Sequence, residues 1–167
     1  MHLSEKTVTI LVLGTAQYGG YPHTGCYEKC CKDAWKFPHL KRMVSSLAII
    51  SAQDCFIIDI TPDIKSQLQL IKKITNDKQC ISGICITHAH MGHYMGLMEL
   101  GLEVMNTNKI PVYAMSKMHS FLEKNAPFSQ LVKQNNINLL NITEKDPFEM
   151  EKNVFITPFQ VPHRNEF

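Results

Sequence analysis

A short apolar run, Gly83-Ile84-Cys85-Ile86-Thr87, ends directly in His88-Ala89-His90-Met91-Gly92-His93. An unbroken apolar stretch of this length reads as a short buried strand. Its three imidazoles fall at the strand's end, where layered α/β folds place their sites. His88 and His90, two apart in extended chain, turn their rings to the same side and can reach one cation. His93 follows a turn that Gly92 permits, and can face a second ion close by. Neutral imidazole is the commonest metal ligand in proteins and suits zinc, iron and copper. Three solvent-facing histidines are the plainer alternative. Metal binding is preferred over it, because unpaired polar groups rarely cluster against a core strand.

The rest of the chain supplies the layers. Thr7 to Leu13 reads as a buried strand and runs into a turn-rich loop, Gly14 to Pro22, which matches no dinucleotide or phosphate-loop fingerprint. Ser46 to Ala52 and Cys55 to Ile60 read as an antiparallel hairpin. A helix opens near Thr61 or Pro62, with Ile64, Leu68 and Ile71 on one face. A second helix is expected from Tyr94 to Met105, a strand over Ile110 to Ala114, and short helices over Met118 to Lys124 and Phe128 to Gln134. Val154 to Val161 is strand-like, with Pro158 interrupting it. Strands alternating with helices indicate an α/β layered domain, one domain over residues 1–167.

Composition excludes several classes. At 44% hydrophobic the chain is no disordered segment, and its apolar stretches fall far short of the ~18 residues a spanning helix needs. A formal charge of +2 argues for neither nucleic acid nor a membrane surface. No secretory signal opens the sequence, so a cytoplasmic location is expected. In that compartment six cysteines and eight histidines suggest metal chemistry or packing rather than disulfides. His2, His39 and His119 have no partner nearby in sequence and read as surface residues. Cys55 and Cys85 read as small core residues, and Cys80 has no assigned role.

Thr87 to His93 resembles the His-x-His-x-Asp-His signature of the metallo-β-lactamase superfamily. Gly14-Thr15-Ala16, Gly19-Gly20-Tyr21-Pro22, the cysteines that follow, Thr61-Pro62-Asp63-Ile64 and Val161-Pro162-His163-Arg164 are similar to the branch containing pyrroloquinoline-quinone biosynthesis protein B. The resemblance implies an αββα sandwich with metal at one edge of its two sheets. By position, His88, His90 and His163 would form the first metal site and His93 would belong to a second. Asp59 matches a position that supports a ligand through a hydrogen bond; read from the residues alone, it also suits a cap at the helix entry. One or two zinc ions are implied, with iron as the alternative. The activity implied is a hydrolase in which a metal-activated water attacks an ester, phosphodiester or similar bond of a small molecule.

Two departures qualify this. Gly92 stands where the signature has its aspartate, which predicts a weakened or absent second metal site. The family's bridging aspartate and last histidine lie beyond the Val-Pro-His landmark, so the sequence corresponds to the N-terminal portion of the sandwich. Such a portion exposes apolar sheet and open edges, and self-association or a second chain completing the fold is expected. Two other functions stay open: an iron-dependent oxidase or hydroxylase of a cofactor-biosynthesis type, and a non-catalytic, metal-stabilised fragment that needs a partner chain.

The branch also implies a structural zinc on a Cys-x-Cys-x-x-Cys cluster. Cys26 and Cys31 fit its outer positions, Glu28 takes the middle one, and Cys30 is the available substitute. Free, reduced thiols are the alternative.

Overall fold

The computed structural model describes residues 7–75, 81–151 and 154–164; His2 and Cys80 lie outside them. Strands β1 (Thr9–Gly14), β2 (Ser46–Ile50) and β3 (Cys55–Ile58) pair antiparallel. β4 (Gly83–Ile86), β5 (Ile110–Met115) and β6 (Ile137–Ile142) continue the sheet in parallel, in the same order as the chain. Helices α1 (Lys29–Lys36), α2 (Ile64–Thr75), α3 (Ser116–Lys124) and α4 (Phe128–Lys133) complete the regular elements, with a two-stranded hairpin of β7 (Phe148–Glu151) and β8 (Val154–Ile156).

The two faces of the main sheet are covered unequally. Leu13, Ala48, Ile50, Ile57, Ile84, Ile86, Val112 and Ala114 point to one face and pack with α2, α3 and α4 in the larger core. From α2, Ile64 and Ile71 reach that core, as the spacing predicts. Between them Gln67 is also fully buried, which an apolar pattern does not predict. It is accommodated because its Nε2 donates to the Val44 carbonyl at 2.9 Å and its Oε1 accepts from Thr61 Oγ1 at 2.9 Å.

On the opposite face Phe148, Met150 and Ile156 of the hairpin pack against Phe56, Cys85 and Tyr113. Tyr113 and Phe148 stack with their ring centroids 4.7 Å apart. That layer stops at the centre of the sheet. Register places Ile10 beside Ile49 and Val12 beside Leu47 on the hairpin's side, yet Ile10 is 67% exposed and Val12 53% exposed. β1, expected as a buried strand, is therefore buried on one face alone. The arrangement is helices, a six-stranded sheet and the beginning of a second sheet, a partial metallo-β-lactamase-type sandwich.

The hairpin of β2 and β3 and the elements β4, β5, α3 and α4 form where the sequence predicts them. The helix expected from Tyr94 to Met105 does not. That segment is two 3-10 turns, Met91–His93 and Met95–Leu100, followed by irregular turns. The Gly96 N–H leaves the helical pattern to donate to the Ile60 carbonyl at 3.0 Å, and the backbone of Thr61 presses so closely on Gly96 that a side chain would not fit. Leu97 and Leu100 still reach the core, whereas Val104 is left exposed. Among the described residues no helix is long and apolar enough to cross a membrane.

Candidate metal centre

The carboxyl ends of the parallel neighbours β3 and β4 build the site. Asp59 follows β3 with φ at +62°, in the left-handed region, and its N–H donates to the Cys85 carbonyl at 2.8 Å. For a side-chain-bearing residue that conformation costs roughly 1–2 kcal/mol, a strain that persists where neighbours over-determine it. The neighbours are donors. Asp59 Oδ1 accepts the Thr87 backbone N–H at 2.8 Å, Oδ2 lies 2.7 Å from His93 Nδ1, and the Thr87 hydroxyl reaches both oxygens at 2.9 and 2.7 Å. Asp59 is itself buried.

This carboxylate orients the imidazoles. The Thr87 hydroxyl gives its only proton to Asp59, so it accepts from His88, whose Nδ1 lies 2.8 Å away. His88 Nδ1 therefore carries the ring proton, and its Nε2 presents a lone pair. That Nε2 sits 2.7 Å from His90 Nδ1, and His90 Nδ1 sits 3.1 Å from His163 Nε2. His88 and His90 come from the end of β4, whereas His163 is carried back by the extended segment after β8. Burial first, then the neighbouring His93, pushes the His88 pKa down to about 4, so it is neutral at pH 7 and in the form that ligates.

Three ring nitrogens turned toward one another are mutually repulsive as bare acceptors. A cation or shared protons between them relieves this, and a neutral three-nitrogen set is a donor set that suits zinc or iron. The residues fit such an ion. A second grouping joins Asp59, His88 and His93, whose candidate atoms lie within 4.8 Å of one another. The Asp59 carboxylate and the Nδ1 atoms of His88 and His93 are already engaged in the hydrogen bonds just described, and Gly92, between His90 and His93, is buried and brings no side-chain donor.

The cysteines form a separate cluster. Cys26 precedes α1, Cys30 and Cys31 lie in its first turn, and the three sulfurs lie within 4.8 Å of one another. Cys26 Sγ and Cys30 Sγ are 3.8 Å apart. Hydrogen bonding with Cys31 lowers the Cys26 thiol's pKa, whereas that with Cys26 raises the Cys30 thiol's. His23, next to them in sequence, contributes its backbone N–H to Cys31 Sγ at 3.3 Å, while its ring Nδ1 lies 2.9 Å from the Thr24 carbonyl. Among the described residues no fourth Cys, His, Asp or Glu joins this trio. Cys55 and Cys85 are buried, and burial pushes their thiols up to about 11 and about 12.

His88, His90 and His163 thus converge, Asp59 and His93 pair beside them, and Cys26, Cys30 and Cys31 gather apart. His39 and His119 join neither grouping. Sequence reasoning missed the role of Thr87, whose hydroxyl links Asp59 to His88; a threonine at the strand end next to the first histidine of the cluster was the available signal.

Residues 55–167 match the family described as the β-lactamase superfamily domain. The chain belongs to the β-lactamase superfamily. Coenzyme PQQ synthesis protein B of Xanthomonas campestris pv. campestris is 24% identical over 165 residues, covering 92% of this chain and 52% of that protein. The Zn(2+)-bound PqqB from Methylobacterium extorquens superposes with a TM-score of 0.77 at 22% identity, over 93% of this chain and 56% of that one. A diphosphatase from the PhnP family superposes with a TM-score of 0.65 at 24% identity, over 86% of this chain and 53% of that one. The chain spans about half the length of the curated relatives it matches. These solved structures share its fold.

Proposed function

We propose that this chain carries the metal-binding portion of a metal-dependent hydrolase, with His88, His90 and His163 as the ligands. The observation that carries this reading is the meeting of His88 Nε2, His90 Nδ1 and His163 Nε2, although 73 positions separate His163 from His90. A zinc or iron ion held there would supply Lewis acidity and lower the pKa of bound water toward neutrality. The chain's own part is orientation and charge. Asp59 and Thr87 hold His88 in the tautomer that ligates, Asp59 fixes the ring of His93, and the buried carboxylate adds negative charge behind the centre. A hydrolytic rather than oxidative reading draws on the family and on the structural likeness to a diphosphatase.

Metal analysis of the purified chain and of His88→Ala tests the assignment, followed by assay on a panel of small phosphodiesters and esters. Loss of about one equivalent of metal in the variant is expected; unchanged content removes the site. The exposed apolar strip of Ile10 and Val12 on the edge strand β1, with Leu47 beside them on β2, supports self-association through this face. Sedimentation at falling concentration tests it, and a monomer at every concentration argues against it.

A further inference from the structure

We propose that Tyr18 closes the second cation position, so that the histidine centre holds a single metal ion on His88, His90 and His163. This rests on the reading that these histidines bind metal.

The absence of a carboxylate at position 92 is only half of the observation. Gly92 is buried, and a Cβ added there would lie 2.8 Å from Tyr18 Cβ and 3.1 Å from its Cγ and Cδ2. Turning χ1 would move the ring but not Tyr18 Cβ, the nearest atom. Room at position 92 therefore requires the backbone of the loop to move. That loop is held on both sides of Tyr18. Ala16 N–H donates to the Met43 carbonyl at 2.9 Å, Ser45 N–H to the Ala16 carbonyl at 2.9 Å, and Tyr21 N–H to the Arg42 carbonyl at 2.9 Å. Gly92 and Tyr18 are a matched pair: tyrosine occupies the space from which a ligand at position 92 would grow.

Of the remaining groups on this side, Asp59 and His88 are also committed. Asp59 accepts from the Thr87 N–H, the Thr87 hydroxyl and His93, which leaves its carboxylate little capacity for a cation. His88 turns its Nε2 to the first site. His93 gives its Nδ1 to Asp59, so its Nε2 is the one ring nitrogen this side keeps for a second cation, too few donors to hold it. Tyr18 is half exposed and also walls a cleft lined by Gly19, Tyr21, His23, Trp35 and Arg42. A substrate seated at the centre from this side meets an aromatic face where a dinuclear site would present a second charge. The substrate class that fits is one whose reacting group needs one cation and whose neighbouring part is flat and apolar enough to pack on a phenol ring.

Two measurements test this. Zinc bound by the whole chain, less zinc bound by His88→Ala/His90→Ala, counts the ions at the histidine centre separately from any held by the cysteines. One ion is expected. Two would overturn the inference while leaving the metal-site reading intact, and none would overturn both. The second measurement needs no metal. Gly92→Ala should lower the melting temperature by roughly 5–10 °C through overpacking. Tyr18→Gly in the same chain should restore most of that loss, and Tyr18→Ala, which keeps the obstructing Cβ, distinctly less. Gly92→Ala with an unchanged melting temperature, or equal rescue by the two Tyr18 variants, would overturn the matched pair.

Discussion

The histidine centre and the cysteine cluster look alike when reduced to donor atoms, each a trio within 4.8 Å. They differ in what holds them. His88 and His90 follow the end of the core strand β4, His88 is oriented through Thr87 and Asp59, and a segment from far along the chain brings His163 to complete the set. The cysteines come from one stretch of six residues, with Cys30 exposed and only Cys31 anchored in the interior. A ligand set is defined by its scaffold as much as by its residue types. The first trio should exist only in the folded chain, whereas the second is local enough to persist in a peptide.

The sharpest way to break that comparison is to remove a shared member. His90 Nδ1 is the atom that both His88 and His163 approach. His90→Ala should weaken zinc at the centre on the order of 100- to 1000-fold, since ~10–16 kcal/mol for a structural zinc is spread over about four ligands. Competition with a chromophoric chelator reads the affinity. Cobalt substitution reads the thiolates separately, and any thiolate-to-cobalt absorption should be unchanged. Equal loss at both clusters would mean that the two are not independent.

How much of this was legible in the residues differs between the regions for the same reason. The apolar run of β4 and the spacing of His88, His90 and His93 made the strand end and its histidine cluster readable, and the resemblance supplied His163. Asp59 stood out only as a position, because its work depends on a left-handed backbone and on the Thr87 hydroxyl from the neighbouring strand. Pairing between strands is not written in local sequence. β6, Ile-Asn-Leu-Leu-Asn-Ile with two asparagines breaking its apolar run, and the four-residue β7, Phe-Glu-Met-Glu, carry only short apolar signals and were not anticipated, nor was α1. The 3-10 turns after His93 replaced the expected helix because of the backbone of Ile60 and Thr61, a tertiary cause. Tyr18 gave no signal at all.

A middle-sized effect should come from the support rather than the ligands. Asp59→Asn preserves shape but loses the charge and one acceptor. A buried outer hydrogen-bond partner of this kind is typically worth about 10–100-fold in metal affinity. Loss of satisfied partners for the Thr87 N–H, the Thr87 hydroxyl or His93 should also lower stability by about 1–3 kcal/mol, read by urea unfolding. If the affinity loss at the histidines is absent while stability falls, Asp59 serves the backbone turn alone.

The smallest effect tests whether the cysteine trio has any support of its own. Trp35, on α1, donates its Nε1–H to the Cys26 carbonyl at 3.0 Å, a contact besides those among the sulfurs that ties the residue ahead of the helix to the helix itself. The site is exposed, so the bond competes with water and its net worth is modest. Trp35→Phe should loosen Cys26 relative to Cys30 and Cys31 and weaken zinc at the thiolates by roughly fivefold, the equivalent of one ordinary hydrogen bond. Zinc at the histidines should not change. A loss as large as that for Asp59→Asn at the histidines would show that the local cluster is held by its surroundings after all, and would erase the contrast between a site made by the fold and a site made by a short stretch of chain.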